Sequence, residues 1–316
     1  MRILLDILLL IVGFVVLVQS AKLFVNASVA IAKRLKIPTI VIGLTVVAMG
    51  TSAPELVISV SAAIGGSGNL AVANVVGSNI FNLMFIVGFC ALLYPIHVKW
   101  KEISRDYWVS VAATIFLLAV VIIFNDTIPR LGSFILLAGF ATYMITLIRH
   151  TMKHKVEEDD TEQNGAKPKP LALSIFLAFL GAAAIVAGGQ LTVSSAVDIA
   201  LAVGITERVI GLTIVAMGTS LPELVTTIIA CRKKEGEFAV GFIIGSSIFN
   251  IMFVLGMAGI ITPLAIESGV LFDLAVLTGG TLLFFLYAFS SKRIVRLEGL
   301  SMVMIYLGYM AFILLA

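Results

Sequence analysis

Apolar runs long enough to cross a bilayer follow one another along almost the whole chain, separated by short polar or Gly/Pro-containing connections. A hydrocarbon core about 30 Å thick needs roughly 20 apolar residues per helix. The pattern therefore predicts spans near residues 3–25, 38–63, 70–94, 106–124, 129–149, 171–193, 207–231, 237–263, 270–289 and 294–315. The expected fold class is an all-α integral membrane protein of about ten transmembrane helices. The first run is longer than the apolar core of a secretory leader, holds Lys22 and Asn26 and lacks a clear small-residue cleavage site, so it reads as a retained helix. One stretch breaks the pattern: HTMKHKVEEDDTEQNGAKPKP at 150–170, polar, mixed in charge and with two prolines, reads as a linker between two halves. Its acidic run Glu157–Asp160 lacks the spaced oxygens and turn glycine of an EF-hand loop.

Composition sharpens this reading. Of the 316 residues, 60% are hydrophobic and only 12% charged, about half the charge of a soluble globular domain, which excludes a water-solvated surface. Cys90 and Cys231 both lie in apolar stretches and read as small buried hydrophobes. His97, His150 and His154 fall at or beyond helix ends, so no zinc-type or Cys/His catalytic constellation is present.

The chain also repeats itself. VIGLTVVAMGTSAPELV at 41–57 returns as VIGLTIVAMGTSLPELV at 209–225, differing only at Val46/Ile214 and Ala53/Leu221. The same shift of 168 residues lays GSNIFNLMF, from Gly77, on GSSIFNIMF, from Gly245, without a gap. A duplication of two five-helix units follows, 1–149 and 171–316, joined by the 150–170 linker. An odd number of spans per unit turns the second copy upside down, and the charges agree. AKRLKIP precedes the first motif but LAVGITER the second, and uncharged GGSGN follows the first where CRKKEGE follows the second. With alternating spans, most lysines and arginines fall on one side together with the linker. The positive-inside rule makes that side cytoplasmic and both termini external.

Glu55 and Glu223 stand inside these apolar spans, where a carboxylate costs about 3 kcal/mol on insertion scales, and the spans supply no clear basic partner. Such a group is either protonated or holds a cation. Thr51/Glu55, Ser78/Asn82, Thr219/Glu223 and Ser246/Asn250 are each spaced i, i+4, which predicts one helical face per pair. Pro54 and Pro222 remove the bond to the carbonyls of Gly50 and Gly218, and broken helices persist in a bilayer where they line a cavity. Carboxylates, hydroxyls, amide oxygens and freed carbonyls form an oxygen-only set suited to a hard cation such as calcium or sodium.

GTSAPE at 50–55 and GTSLPE at 218–223, each followed by a GS-x-IFN motif, resemble the alpha repeats of the sodium/calcium exchanger family within the cation/calcium exchanger superfamily, in a prokaryotic form without large regulatory domains. The resemblance spans essentially the whole chain. It implies Glu55, Glu223, Thr51 and Thr219 as calcium ligands. It further implies Ser52, Ser220, Ser78, Ser246 and the carbonyls of Ala48 and Ala216 at sodium positions, with Asn82 and Asn250 lining the site. It implies an electrogenic antiporter working by alternating access in a prokaryotic plasma membrane, with sodium and calcium as transported ions rather than cofactors. Beyond the lipid bilayer it implies no nucleic-acid or protein partner. Neutral Asn250, where the potassium-dependent branch has Asp, argues against potassium co-transport. Proton/calcium antiport is the alternative within transporters. A cation channel fits an inverted repeat with broken helices less well, and an enzyme would need a second catalytic group that the chain lacks.

Overall fold

The computed structural model describes residues 2–35, 37, 39–153, 170–203, 216–266, 269–291 and 293–315. The centre of the linker, the 209–215 stretch of the second motif, Lys36 and Arg208 lie outside the described residues.

We number the helices α1 (Arg2–Leu35), α2 (Gly43–Thr51 and Ala53–Ile64, bent by 55° at Ser52), α3 (Gly68–Leu93), α4 (Trp100–Ile123) and α5 (Arg130–Lys153). In the second unit follow α6 (Leu171–Ala202), α7 (Leu221–Arg232, preceded by the short turn Ala216–Gly218), α8 (Gly236–Ile261), α9 (Gly269–Ser291) and α10 (Arg296–Leu315). Among the described residues eight helices are long and apolar enough to span a membrane alone, and bent α2 makes nine. The ten expected spans all coincide with helices, α7 being described only from Ala216.

The departure from an all-helical chain is confined to the connections. β1 (Ile96–His97) pairs antiparallel with β4 (Arg293–Ile294), and β2 (Thr127–Ile128) with β3 (Leu264–Ala265). α4 runs from β1 to β2, so the two ladders cap opposite ends of the bundle, and each takes one strand from either unit. Exchange of the units across a pseudo-twofold axis in the membrane plane turns one ladder into the other.

Glycines make the same symmetry visible in the packing. Antiparallel α1 and α6 approach closely where a Cβ on Gly13 would lie 2.8 Å from the Thr192 backbone, and one on Gly181 3.1 Å from that of Phe24. By the 168-residue shift, Gly13 corresponds to Gly181 and Phe24 to Thr192, so one crossing is built twice. These helices have 34 and 32 residues, about 50 Å at 1.5 Å per residue, and cross a 30 Å core only when tilted. Their lipid side remains apolar, with Leu4, Phe14, Phe176 and Phe179 exposed. By contrast, α8 is almost wholly buried between Phe238 and Ile248.

Buried α8 meets α2 backbone to backbone. A Cβ on Gly245 would lie 2.5 Å from both Cα and the carbonyl oxygen of Leu44, and neither can yield as a flexible side chain could. Gly245→Ala is expected to cost about 1–3 kcal/mol of stability through overpacking. Gly308→Ala on α10, where a Cβ meets nothing within 4 Å, should change it by less than about 0.5 kcal/mol. Melting temperatures of the two variants in the same detergent check this.

Candidate cation site

Two equivalent breaks position the site. Ser52 (φ −82°, ψ 12°) and Ser220 (φ −91°, ψ 8°) leave helical geometry immediately before the halves that start Ala53-Pro54-Glu55 and Leu221-Pro222-Glu223. Proline fits the first helical turn, where an N–H would be unpaired anyway. Its lack of a donor leaves the carbonyls of Gly50 and Gly218 without their usual partner. Each glutamate therefore sits in a first turn beside free backbone N–H groups, at the positive end of its helix.

The glutamates come from opposite units and meet at the centre. Both are fully buried. Ser220 Oγ donates to Glu55 Oε1 at 3.2 Å, and Ser52 Oγ donates to Glu223 Oε1 at 3.0 Å. Thr51 Oγ1 donates within its own helix, to the Val47 carbonyl at 3.1 Å, while Thr51 lies near enough to Glu223, and Thr219 to Glu55, to favour the charged carboxylate. Each carboxylate is thus held by a serine hydroxyl of the other unit. The expectation that Thr51/Glu55 and Thr219/Glu223 each lie on one continuous helical face is modified in one respect: the breaks at Ser52 and Ser220 fall between the two members of each pair.

α3 and α8 complete the arrangement. Ser246 Oγ lies 2.8 Å from Ser52 Oγ and accepts from Asn82 Nδ2 at 3.4 Å, and Asn250 Nδ2 donates to Asn79 Oδ1 at 3.4 Å. Asn82 and Asn250 sit in matching π-helical stretches, Phe81–Ile86 and Phe249–Val254, a distortion frequent at functional sites. The i, i+4 pairs Ser78/Asn82 and Ser246/Asn250 therefore straddle the junction between α- and π-geometry. Ala48 lies at the start of the last α-helical turn before the break, and its carbonyl accepts from Ser52 N at 3.1 Å and Thr51 Oγ1 at 3.4 Å. Ala216 opens the corresponding turn before α7.

After these bonds a set of buried oxygens remains without a hydrogen-bond partner among the described residues: Glu55 Oε2, Glu223 Oε2, Asn82 Oδ1, Asn250 Oδ1 and Ser78 Oγ. Unmade buried acceptors are costly, and here they cluster with two carboxylates that form no salt bridge among the described residues. A cation is the ligand that satisfies such a set. Its all-oxygen chemistry suits calcium or sodium, and no group of three or more His, Cys, Asp or Glu side chains suited to a softer metal occurs among the described residues.

Hydrogen bonds link Glu223, Ser52, Ser246 and Asn82 in one chain and Glu55 to Ser220 in another, whereas Asn250 bonds Asn79 and Ser78 Oγ has no partner among the described residues. The structure adds three residues. Asn74 Nδ2 donates to the Glu55 carbonyl at 3.3 Å and to Ser59 Oγ at 3.0 Å, while Thr227 Oγ1 holds the Glu223 carbonyl at 2.7 Å in the other unit. Asn79 is the third, and its signal was the only mismatch between GSNIFN and GSSIFN. Cys90 and Cys231 are buried free thiols, as expected.

Known proteins resemble this chain over nearly its whole length. The family model described as sodium/calcium exchanger protein matches residues 5–149 and 173–315. The CaxA protein of Alkalimonas amylolytica is 38% identical over 307 residues, covering 94% of this chain and 95% of its own length. The sodium/calcium exchanger MaX1 of Methanosarcina acetivorans is 33% identical over 340 residues, covering 96% and 97%. The solved structure of the sodium-calcium exchanger NCX_Mj superposes with a TM-score of 0.84 at 31% identity, covering 98% of both chains.

Proposed function

Because the chain belongs to the sodium/calcium exchanger protein family, we propose that it exchanges sodium for calcium across a membrane by alternating access, without potassium. The observation that carries this reading is the crossed pair Glu55 and Glu223. Each is tied through Oε1 to the opposite unit and keeps Oε2 unbonded among the described residues, and Asn82 joins Glu223 through Ser246 and Ser52. Two negative charges and several neutral oxygens match one dication or a set of monovalent ions, so the two ions compete for one site rather than passing together.

In this reading Glu55, Glu223, Thr51 and Thr219 bind calcium. Ser52, Ser220, Ser78, Ser246 and the carbonyls of Ala48 and Ala216 serve sodium, and Asn82 and Asn250 line the site. The two units, 1–149 and 171–316, act as inverted repeats about it. The lysine- and arginine-rich side, with the 150–170 linker, faces the cytoplasm of a prokaryotic cell.

Calcium uptake into proteoliposomes loaded with sodium tests the proposal. Uptake is expected to follow the outward sodium gradient and to be unchanged when external potassium is replaced by choline, since Asn82 and Asn250 bring no third carboxylate. Strict dependence on potassium would overturn that part. Uptake driven by a proton gradient with sodium absent would instead favour proton coupling, which two midplane carboxylates can also support.

A further inference from the structure

The two units differ at one position of the GS-x-IFN motif: Asn79 in α3 stands where α8 has Ser247. The substitution changes what the side chain can reach. Ser247 Oγ donates to the Ile243 carbonyl of its own helix at 3.1 Å. Fully buried Asn79 instead crosses to the other unit, where its Oδ1 accepts from Asn250 Nδ2.

An amide is two-faced: its oxygen attracts a cation and its NH2 repels one. An asparagine beside a cation is therefore useful only if something else takes its NH2. Asn82 gives its NH2 to Ser246 and leaves Oδ1 unbonded, and Asn250 gives its NH2 to Asn79 and likewise leaves Oδ1 unbonded. Asn79 keeps its own Nδ2 without a partner among the described residues, a cost that leucine, with the same number of side-chain heavy atoms, or the serine of the other unit, would avoid. Packing alone does not explain an amide here. The need for an acceptor facing Asn250 does.

We propose that Asn79 is a positioning residue of the cation site, whose amide oxygen fixes Asn250 with its own oxygen towards the ions. This rests on the exchanger reading for the identity of the ions, but not on coupled exchange itself. Asn79→Leu removes the acceptor while keeping the branched side chain, at the cost of added methyl bulk in a buried position. Asn79→Ser is the smaller counterpart, whose hydroxyl is expected to turn to its own helix as that of Ser247 does.

Equilibrium binding of radioactive calcium to the purified full chain in detergent reads the effect without requiring transport. Both variants are expected to weaken calcium binding roughly tenfold, equivalent to about 1.4 kcal/mol. In an Asn250→Asp background, where both terminal atoms are oxygen and no orientation need be held, the same changes should alter binding less than about twofold, below roughly 0.4 kcal/mol. Asn79→Ser carries the test if Asn79→Leu does not fold. Binding within twofold of the parent in the Asn250 background, or an equal loss in both backgrounds as for a packing defect, would overturn the proposal. Normal calcium binding by the parent chain without sodium-driven uptake would sink the exchange reading and leave this inference standing on its own result. A parent chain that binds no calcium would sink both.

Discussion

Glu55→Gln and Glu223→Gln are each expected to abolish calcium uptake into sodium-loaded proteoliposomes, to below about one hundredth of the parent rate. The reason is electrostatic and follows from the isolation of the pair. Both carboxylates are fully buried, and no salt bridge among the described residues offsets them. A dication there relies on both. At an effective dielectric constant near 20, a unit charge and a dication about 4 Å apart interact by roughly 8 kcal/mol before desolvation. Retaining a third of that as net loss already corresponds to about a hundredfold in affinity. Glutamine adds a second penalty, because its NH2 points a donor either at the ion or at the serine hydroxyl that held the carboxylate, Ser220 for Glu55 and Ser52 for Glu223. Neither change creates a cavity, so the variants should run as monodisperse protein with a melting temperature near that of the parent. Near-normal uptake by either variant would remove that glutamate from the site.

The fold and the centre of the site were legible in the sequence for different reasons. Helices were readable because a bilayer demands long apolar runs, and inversion because the flanking charges change sides between the two copies of one motif. Glu55 and Glu223 stood out because a carboxylate in an apolar span needs an explanation and here occurs twice. The crossing of the bonds was not readable. Spacing alone could not show that Ser52 bonds Glu223 and Ser220 bonds Glu55, because only the packing of the two units decides that. The π-helical stretches holding Asn82 and Asn250 were hidden because one extra residue per turn leaves no mark on an apolar run. The two ladders were hidden because two residues are too few to alternate. Asn79 lay in plain view, but a search for identity between repeats passes over the position where they differ.

A membrane potential is expected to bias the exchange strongly, as the charge count of the same site requires. With Glu55 and Glu223 ionised the empty site carries about −2, and one calcium neutralises it. If the oxygens of Ser78, Asn82 and Asn250, unbonded among the described residues, join the two carboxylates as proposed above, the site can take more monovalent ions than it has negative charges. A site loaded with three sodium ions would carry +1, and that step would move charge across the membrane. One elementary charge through 100 mV is worth about 2.3 kcal/mol, roughly fiftyfold in the equilibrium ratio. Proteoliposomes clamped with potassium and valinomycin should therefore show sodium entry coupled to calcium exit slowed by an inside-positive potential and accelerated by an inside-negative one. The potassium used for the clamp is acceptable only if uptake is first found independent of potassium. Initial rates indifferent to the clamp between −100 and +100 mV would mean that sodium and calcium carry equal charge through the site, and that two sodium ions, or two protons, replace each calcium.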